Sequence, residues 1–420
     1  MVIEQLKNKD NVSRIELADA IAEKSGEHQH FLLECAPRVG KSIQAIELVK
    51  RWNLYPFLIL SGANATNQQW IKNISEYNPD LNFKYDIQCY QSLHKIPRDY
   101  YKVILLDEFD LVTEQRLAQL QEFKPEHWIG MSGTLEDSDV FNFRSLARKF
   151  FHVKVDLLQA VKWGILPVPT IFNVALELDN TKRYLVYHKG KDKKKKNNIV
   201  PYNERWNAFK DKTKNALIQC TEVEYNSLIN EEFQRWKNYE EQFELPPEER
   251  DSSIQFLIQK GFNQSTCRDK KLRIGNERKK FYADIKNRWF KKLFAQLPSN
   301  KRILVFCNDT AQADLLNEEF SVHSNRPGSE GLVESFNNKE INLLFNCKML
   351  ERGVDFIDVD YLIIVQSSGS QGSQTQKAFR IMLSQVPKII LFHYPNTQDE
   401  LYVNKFLEGF KPEWIIKKKL

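Results

Sequence analysis

No stretch of the chain holds enough consecutive apolar residues to cross a bilayer, so no contact with a membrane is expected. The opening residues, Met1 to Gly26, mix both charges and lack the apolar core of a secretion signal. Cysteine is sparse: six among 420 residues, at Cys35, Cys89, Cys220, Cys267, Cys307 and Cys347, with no CxxC pair. That scatter argues against a zinc module and against a disulfide framework, and a reducing cytoplasm is the expected compartment. Charge of one sign is scarce too. The balance of 61 Lys+Arg against 55 Asp+Glu leaves +6, which permits a nucleic-acid partner without demanding one. With 42% hydrophobic and 28% charged residues, the composition is that of a globular protein, long enough for two or three domains.

Two short strings stand out against this plain background. Residues 35–42 read CAPRVGKS, and residues 103–110 read VILLDEFD. Phe31-Leu32-Leu33 has the pattern of a buried strand, and Ile43 to Lys50 has helical spacing of its apolar residues. A strand, a tight loop and a helix start therefore surround Gly40-Lys41-Ser42. Such a loop aims backbone N–H groups and the positive helix end at phosphates. Lys41 would reach the β- and γ-phosphates, and the Ser42 hydroxyl would take a magnesium position. Cys35 stands where the full GxxxxGK[ST] pattern has its first glycine. In the second string, the apolar run Val103 to Leu106 suits a central parallel strand, with Asp107 and Glu108 at its C-terminal end. Asp107 would hold magnesium through water, and Glu108 would polarise an attacking water. A chance Gly-Lys-Ser and an ordinary strand ending in acids could each occur alone. Their order and separation of about 65 residues suit a nucleoside triphosphatase.

The rest of the chain alternates in two blocks. From about Phe31 to Phe151, strands are expected at Phe57–Leu60, Asp86–Tyr90, Val103–Leu106 and Trp128–Met131, with helices between them. Residues 180–295 break the alternation with long polar helices rich in aromatics and a lysine run, Lys189 to Lys196. That run is a solvated loop or a phosphate-backbone contact. Alternation returns with strands at Arg302–Cys307, Ile341–Asn346, Tyr361–Val365 and Lys388–Phe392. This second block has no phosphate loop of its own, so a nucleotide is expected between the two.

Further segments complete an ordered series: Ser61-Gly62-Ala63-Asn64 with Gln69-Trp70, Gln88 to Leu93, Gly130-Met131-Ser132-Gly133-Thr134-Leu135, Leu304 to Cys307, Met349 to Asp355, and Gln376-Lys377-Ala378-Phe379-Arg380. With CAPRVGKS as motif I and Asp107-Glu108-Phe109-Asp110 as motif II, the series resembles superfamily 2 helicases and translocases of DExD-box type. The segment Leu272 to Phe281 is most similar to the compact helicases of bacteriophages and other DNA viruses. The resemblance implies an α/β fold of two RecA-like doubly wound parallel-sheet domains, residues 1–163 and 164–420. A mainly helical insertion at about 180–295 belongs to the second.

The resemblance also implies ATP and Mg2+ as cofactors. Lys41, Asp107, Glu108 and Arg380 would be catalytic. Arg38, Gly40, Lys41, Ser42, Gly353, Asp355 and Gln376 would bind nucleotide, with Ser42 and Asp107 on the metal. Gln69, Trp70, Gln91, Ser92, Ser132 and Thr134 would serve the nucleic-acid groove. DNA, single-stranded or branched, is the expected partner, with RNA as the alternative, in replication, recombination or repair. The segment from Gln376 lies where motif VI of the family belongs and departs from it: Phe379 replaces glycine, and Leu383 replaces the second arginine. Arg380, or else Arg352, would then face the γ-phosphate alone. A different P-loop DNA motor and a catalytically weak nucleic-acid clamp are the competing readings.

Overall fold

The computed structural model describes residues 6, 9, 11–62, 64–81, 84–182, 184–186, 218–347, 356, 358–367, 378, 382 and 384–420. Six parallel strands form the first sheet: β1 (Phe31–Cys35), β2 (Phe57–Ser61), β3 (Tyr85–Cys89), β4 (Val103–Leu106), β5 (His127–Ser132) and β6 (Phe151–Val155). Their spatial order is β3-β2-β4-β5-β1-β6. The four central strands are buried along their whole length, and β2 and β4 accordingly read as apolar runs, whereas β1 and β5 also carry Glu34 and His127. Phe31, Leu33, Ile59, Leu105 and Met131 face one layer of helices. Leu32, Leu58, Leu60, Leu106 and Trp128 face the other, around Phe109 and Phe143.

The second sheet has seven strands, all parallel. They are β7 (Thr170–Ala175), β10 (Ile303–Phe306), β11 (Ser321–Val322), β12 (Leu343–Asn346), β13 (Tyr361–Ile364), β14 (Lys388–His393) and β15 (Ile415–Lys419). Their order is β11-β12-β10-β13-β14-β7-β15. Two parallel sheets flanked by helices make the α/β architecture expected from the alternation. Four of these strands, β6, β7, β11 and β15, lie outside the expected set.

Between β7 and β10 the chain is not wholly helical. A short antiparallel pair, β8 (Tyr184–Val186) and β9 (Ile218–Cys220), precedes the helices. The Lys189–Lys196 run lies outside the described residues. The helix Glu222–Glu244 starts at a capping box between Thr221 and Glu224. It packs along the 31-residue helix Gln264–Phe294. Tyr225 meets Phe281 with ring centroids 4.8 Å apart, and the Arg278 guanidinium lies 4.1 Å from the Phe233 ring centre.

The C-terminal half of the long helix docks on the second sheet. Phe290 meets Phe345 at 5.8 Å, and Gln312 donates to the Ala283 carbonyl at 2.8 Å. At the join, Lys286 and Asp399 pair at 2.8 Å with neither side chain exposed. Gln366 accepts from Lys286 at 3.0 Å and donates to Asp399 at 2.8 Å, and the Tyr394 backbone N–H adds a third donor to that carboxylate. Burial pushes the Lys286 pKa down, and Asp399 opposes that shift. Asp399→Ala would strand a buried ammonium. It is expected to cost about 3–5 kcal/mol of unfolding free energy, read as a lower midpoint in urea. A midpoint within error of the parent would show that this join is not a stability element.

Candidate active site

The strand order decides which loops meet. β4, β5 and β1 are neighbours, so the segments leaving their C-terminal ends converge. Those segments carry Asp107–Glu108, Ser132–Thr134 and residues 36–42 respectively. Leu106 pairs with Gly130, and Glu34 pairs with Ser132, so β5 and β1 run slightly past the end of β4 and the three loops start close together.

The loop after β1 is shaped by two left-handed residues, Arg38 (φ 73°) and Gly40 (φ 101°). Gly40 caps the helix Lys41–Trp52, and a Cβ there would lie 3.2 Å from the Arg14 Cδ. A side chain at this position would be strained and crowded at once. Arg14, on the helix Arg14–Glu23, donates through Nε and Nη2 to the Arg38 carbonyl, both at 3.1 Å. The loop is therefore propped from outside. From inside, the Lys41 ammonium donates to the Cys35 carbonyl at 3.2 Å. Burial lowers the Lys41 pKa, while the negative charges of Asp107 and Glu108 oppose that shift. Burial likewise pushes the Cys35 thiol up to about 12, so it is a neutral packing group here.

Asp107 is the most tightly held group of the site. Its Oδ2 accepts from the Trp70 indole N–H at 2.8 Å, and its Oδ1 accepts from the Glu108 backbone N–H at 3.0 Å. Its peptide N–H donates to the Leu60 carbonyl at 2.8 Å, and its own carbonyl accepts from the Tyr90 hydroxyl at 2.9 Å. Burial nonetheless raises its pKa, outweighing the Trp70 donor and Lys41. Glu108 adopts φ 50°, ψ 52°, a left-handed conformation that costs a glutamate about 1 kcal/mol or more. A Cβ on Gly62 would stand 2.9 Å from the Glu108 Oε2, so the glycine at the end of β2 leaves room for that carboxylate.

These residues fit a magnesium nucleotide. Each Asp107 oxygen keeps a lone pair beyond its one described donor, and a nearby cation would offset the burial of its charge. Ser42, half-buried in the first helical turn, would supply a hydroxyl. One hydroxyl and one carboxylate suit an ion held mostly by phosphates and water.

The expected site residues divide into three groups. Arg38, Gly40, Lys41, Ser42, Asp107 and Glu108 come together at the ends of β1 and β4. Gln91 is exposed and Ser92 half-buried in the turn Tyr90–Lys95; Thr134 is half-buried after β5. One strand-contact expectation needs correcting. Trp70 is 2% exposed and turned onto Asp107, so its ring is unavailable to a nucleic-acid base. Ser132 is also 2% exposed, and its hydroxyl donates to Asp110 at 2.7 Å. Its place is between the loops after β4 and β5. The side chain of Gln69 lies outside the described residues, as do Gly353, Asp355, Gln376, Arg380, Arg352 and Leu383. Nothing local marks Tyr90, expected at the end of a strand, as a partner of Asp107, nor Arg14 as a prop for the phosphate loop.

Residues 285–382 match the family model described as the helicase conserved C-terminal domain. The fold is similar to the helicase domain of Hef from Pyrococcus furiosus, with TM-score 0.50 and 13% identity, covering 96% of this chain and 98% of that one. It is also similar to a fragment of a protein described as an HsdR subunit of a type I restriction enzyme from Vibrio vulnificus YJ016. There the TM-score is 0.55 and the identity 13%, over 96% of this chain and 67% of that one. No curated protein sequence matches the chain. The second unit thus carries a helicase C-terminal signature, and the whole chain carries a fold shared with helicase domains.

The contact between the two loops can be tested alone. Ser132→Ala removes a buried donor to a carboxylate and is expected to cost about 1.5 kcal/mol in urea unfolding. An unchanged midpoint would mean that Asp110 finds an equal partner in water.

Proposed function

We propose that this protein is an ATP-dependent nucleic-acid helicase or translocase of superfamily 2, DExD-box type, acting on DNA. One observation carries the reading: the loop ending in Gly40-Lys41-Ser42 and the pair Asp107–Glu108 follow the C-terminal ends of β1 and β4, the two strands that flank β5 in one parallel sheet. The helicase C-terminal match in the second unit favours this reading over other P-loop motors. The compact viral type, a cytoplasmic location and a part in replication, recombination or repair belong to the same proposal.

The chemistry follows from the residues in place. Lys41 and the N–H groups of the helix start hold the β- and γ-phosphates and offset charge as the terminal phosphoryl group leaves. Glu108 takes the proton side of a water aligned with the γ-phosphate. Magnesium, when bound near Ser42 and Asp107, neutralises charge on the phosphate oxygens. The domains proposed, 1–163 and 164–420, would close over the nucleotide and change their grip on a strand. Arg380 is the arginine proposed to reach across, on sequence grounds.

Lys41→Ala should abolish ATP turnover without unfolding the protein, because it removes charge stabilisation in the transition state. Glu108→Gln should still bind ATP but not hydrolyse it, accumulating as an ATP-bound complex. Steady-state phosphate release and equilibrium nucleotide binding separate the two effects. Turnover within a few-fold of wild type in either variant would remove that residue from the mechanism.

A further inference from the structure

Asp107 is held by two aromatic side chains, and each comes from a segment expected to contact nucleic acid. Trp70 lies on the helix Asn64–Tyr77, immediately after Gln69. Tyr90 opens the turn Tyr90–Lys95, immediately before Gln91 and Ser92. Trp70 donates to the carboxylate and Tyr90 to the carbonyl of the same residue, at 2.8 and 2.9 Å. Both rings are buried, at 2% and 1% exposure, whereas Gln91 is exposed and Ser92 half-buried. At the turn, then, adjacent residues serve opposite sides: one outward to solvent, one inward to Asp107.

The two segments are also tied together. Asn67, one helical turn before Trp70, accepts from the Ser61 hydroxyl at 2.5 Å and donates to the Cys89 sulfur at 3.4 Å. Cys89 directly precedes Tyr90, and Ser61 ends the strand whose Leu60 carbonyl accepts from the Asp107 N–H. The helix, the turn and the end of β2 thereby form one hydrogen-bonded set around a single residue, Asp107, with Trp70 on its carboxylate and Tyr90 and Leu60 on its backbone. A displacement of the helix or the turn is carried to that residue through short, directional bonds.

We propose that Trp70 and Tyr90 are positioning residues that couple occupancy of the strand-binding segments to the orientation of the Asp107 carboxylate. The proposal rests on the ATPase reading of the site. A strand seated on Gln91 and Ser92, or on the outer face of the helix Asn64–Tyr77, moves the two donors, and the carboxylate follows. By linkage, nucleotide binding shifts strand affinity by the same factor as the strand shifts nucleotide affinity. The rival account is that these are core aromatics whose polar tips need a partner. In that case their loss weakens the fold and leaves coupling alone.

Trp70→Phe, Tyr90→Phe and the double variant keep an aromatic ring at each position and delete the donors. Affinity for a fluorescent non-hydrolysable ATP analogue with Mg2+ is measured with and without a saturating single-stranded DNA oligonucleotide. The quantity read is the ratio of the two affinities, which cancels a uniform loss of either. The wild-type ratio is expected to fall in the range of about 5–150 typical of coupled sites. It should drop in each single variant and approach one in the double variant. A wild-type ratio retained in both single variants overturns the proposal, as does a wild type that binds both ligands with a ratio of one. A wild type that binds no magnesium analogue overturns the ATPase reading itself, a distinct failure. Tryptophan emission gives a second readout. Loading the magnesium analogue should change wild-type emission through a component missing from Trp70→Phe; an equal change in that variant removes Trp70 from the site.

Discussion

A half-buried carboxylate at the end of a parallel strand is the constraint around which the first unit is arranged. Asp107 would be costly to keep charged in that place without donors and a nearby cation. The structure supplies Trp70, the Glu108 N–H and the charge of Lys41, and burial still raises its pKa. Such a residue is poised to gain from a divalent ion. The neighbouring features serve the same end. Glu108 takes a strained left-handed backbone, Gly62 leaves space for its carboxylate, and Gly40 turns the phosphate loop. Two left-handed non-glycine residues, Arg38 and Glu108, thus stand at one site.

The second unit is built on the same parallel plan but is anchored differently. Its insertion helices are charge-complementary: the helix Glu222–Glu244 is rich in acid and the helix Gln264–Phe294 in base. Arg288 donates to Glu222, and Lys271 pairs with Glu240. The buried Lys286–Asp399–Gln366 cluster then fixes the long helix to the sheet. Removing one member of such a cluster is far more costly than its net contribution, so it acts more as a specifier of position than as a source of stability.

Legibility in the sequence followed the range of the interaction. The central strands of both sheets were readable because burial on both faces leaves an unbroken apolar run, as in Phe57–Ser61 and Val103–Leu106. The lysine of the loop and the paired acids were readable because their chemistry is written in adjacent residues. Strand β15 was not: Ile415–Lys419 ends in three lysines and reads as a solvated tail, yet it pairs with β7, far back in the chain. Strand β6 sits at the edge of its sheet with a mixed burial pattern, which blurs its period. Trp70 was misplaced for a related reason. Gln69 and Trp70 are adjacent in sequence, but neighbouring helical residues point about 100° apart. Ser132 sits at the end of a strand buried throughout, which turned its hydroxyl inward. The Asp107 contacts of Tyr90 span 17 residues and depend on which strands are neighbours, so no local pattern announces them.

Phosphate release from ATP by the wild-type protein, measured with magnesium in the presence and absence of single-stranded DNA, tests the central claim most directly. The account predicts magnesium-dependent release that rises when the DNA is added. No release above background under either condition, from protein shown to be folded, would contradict it.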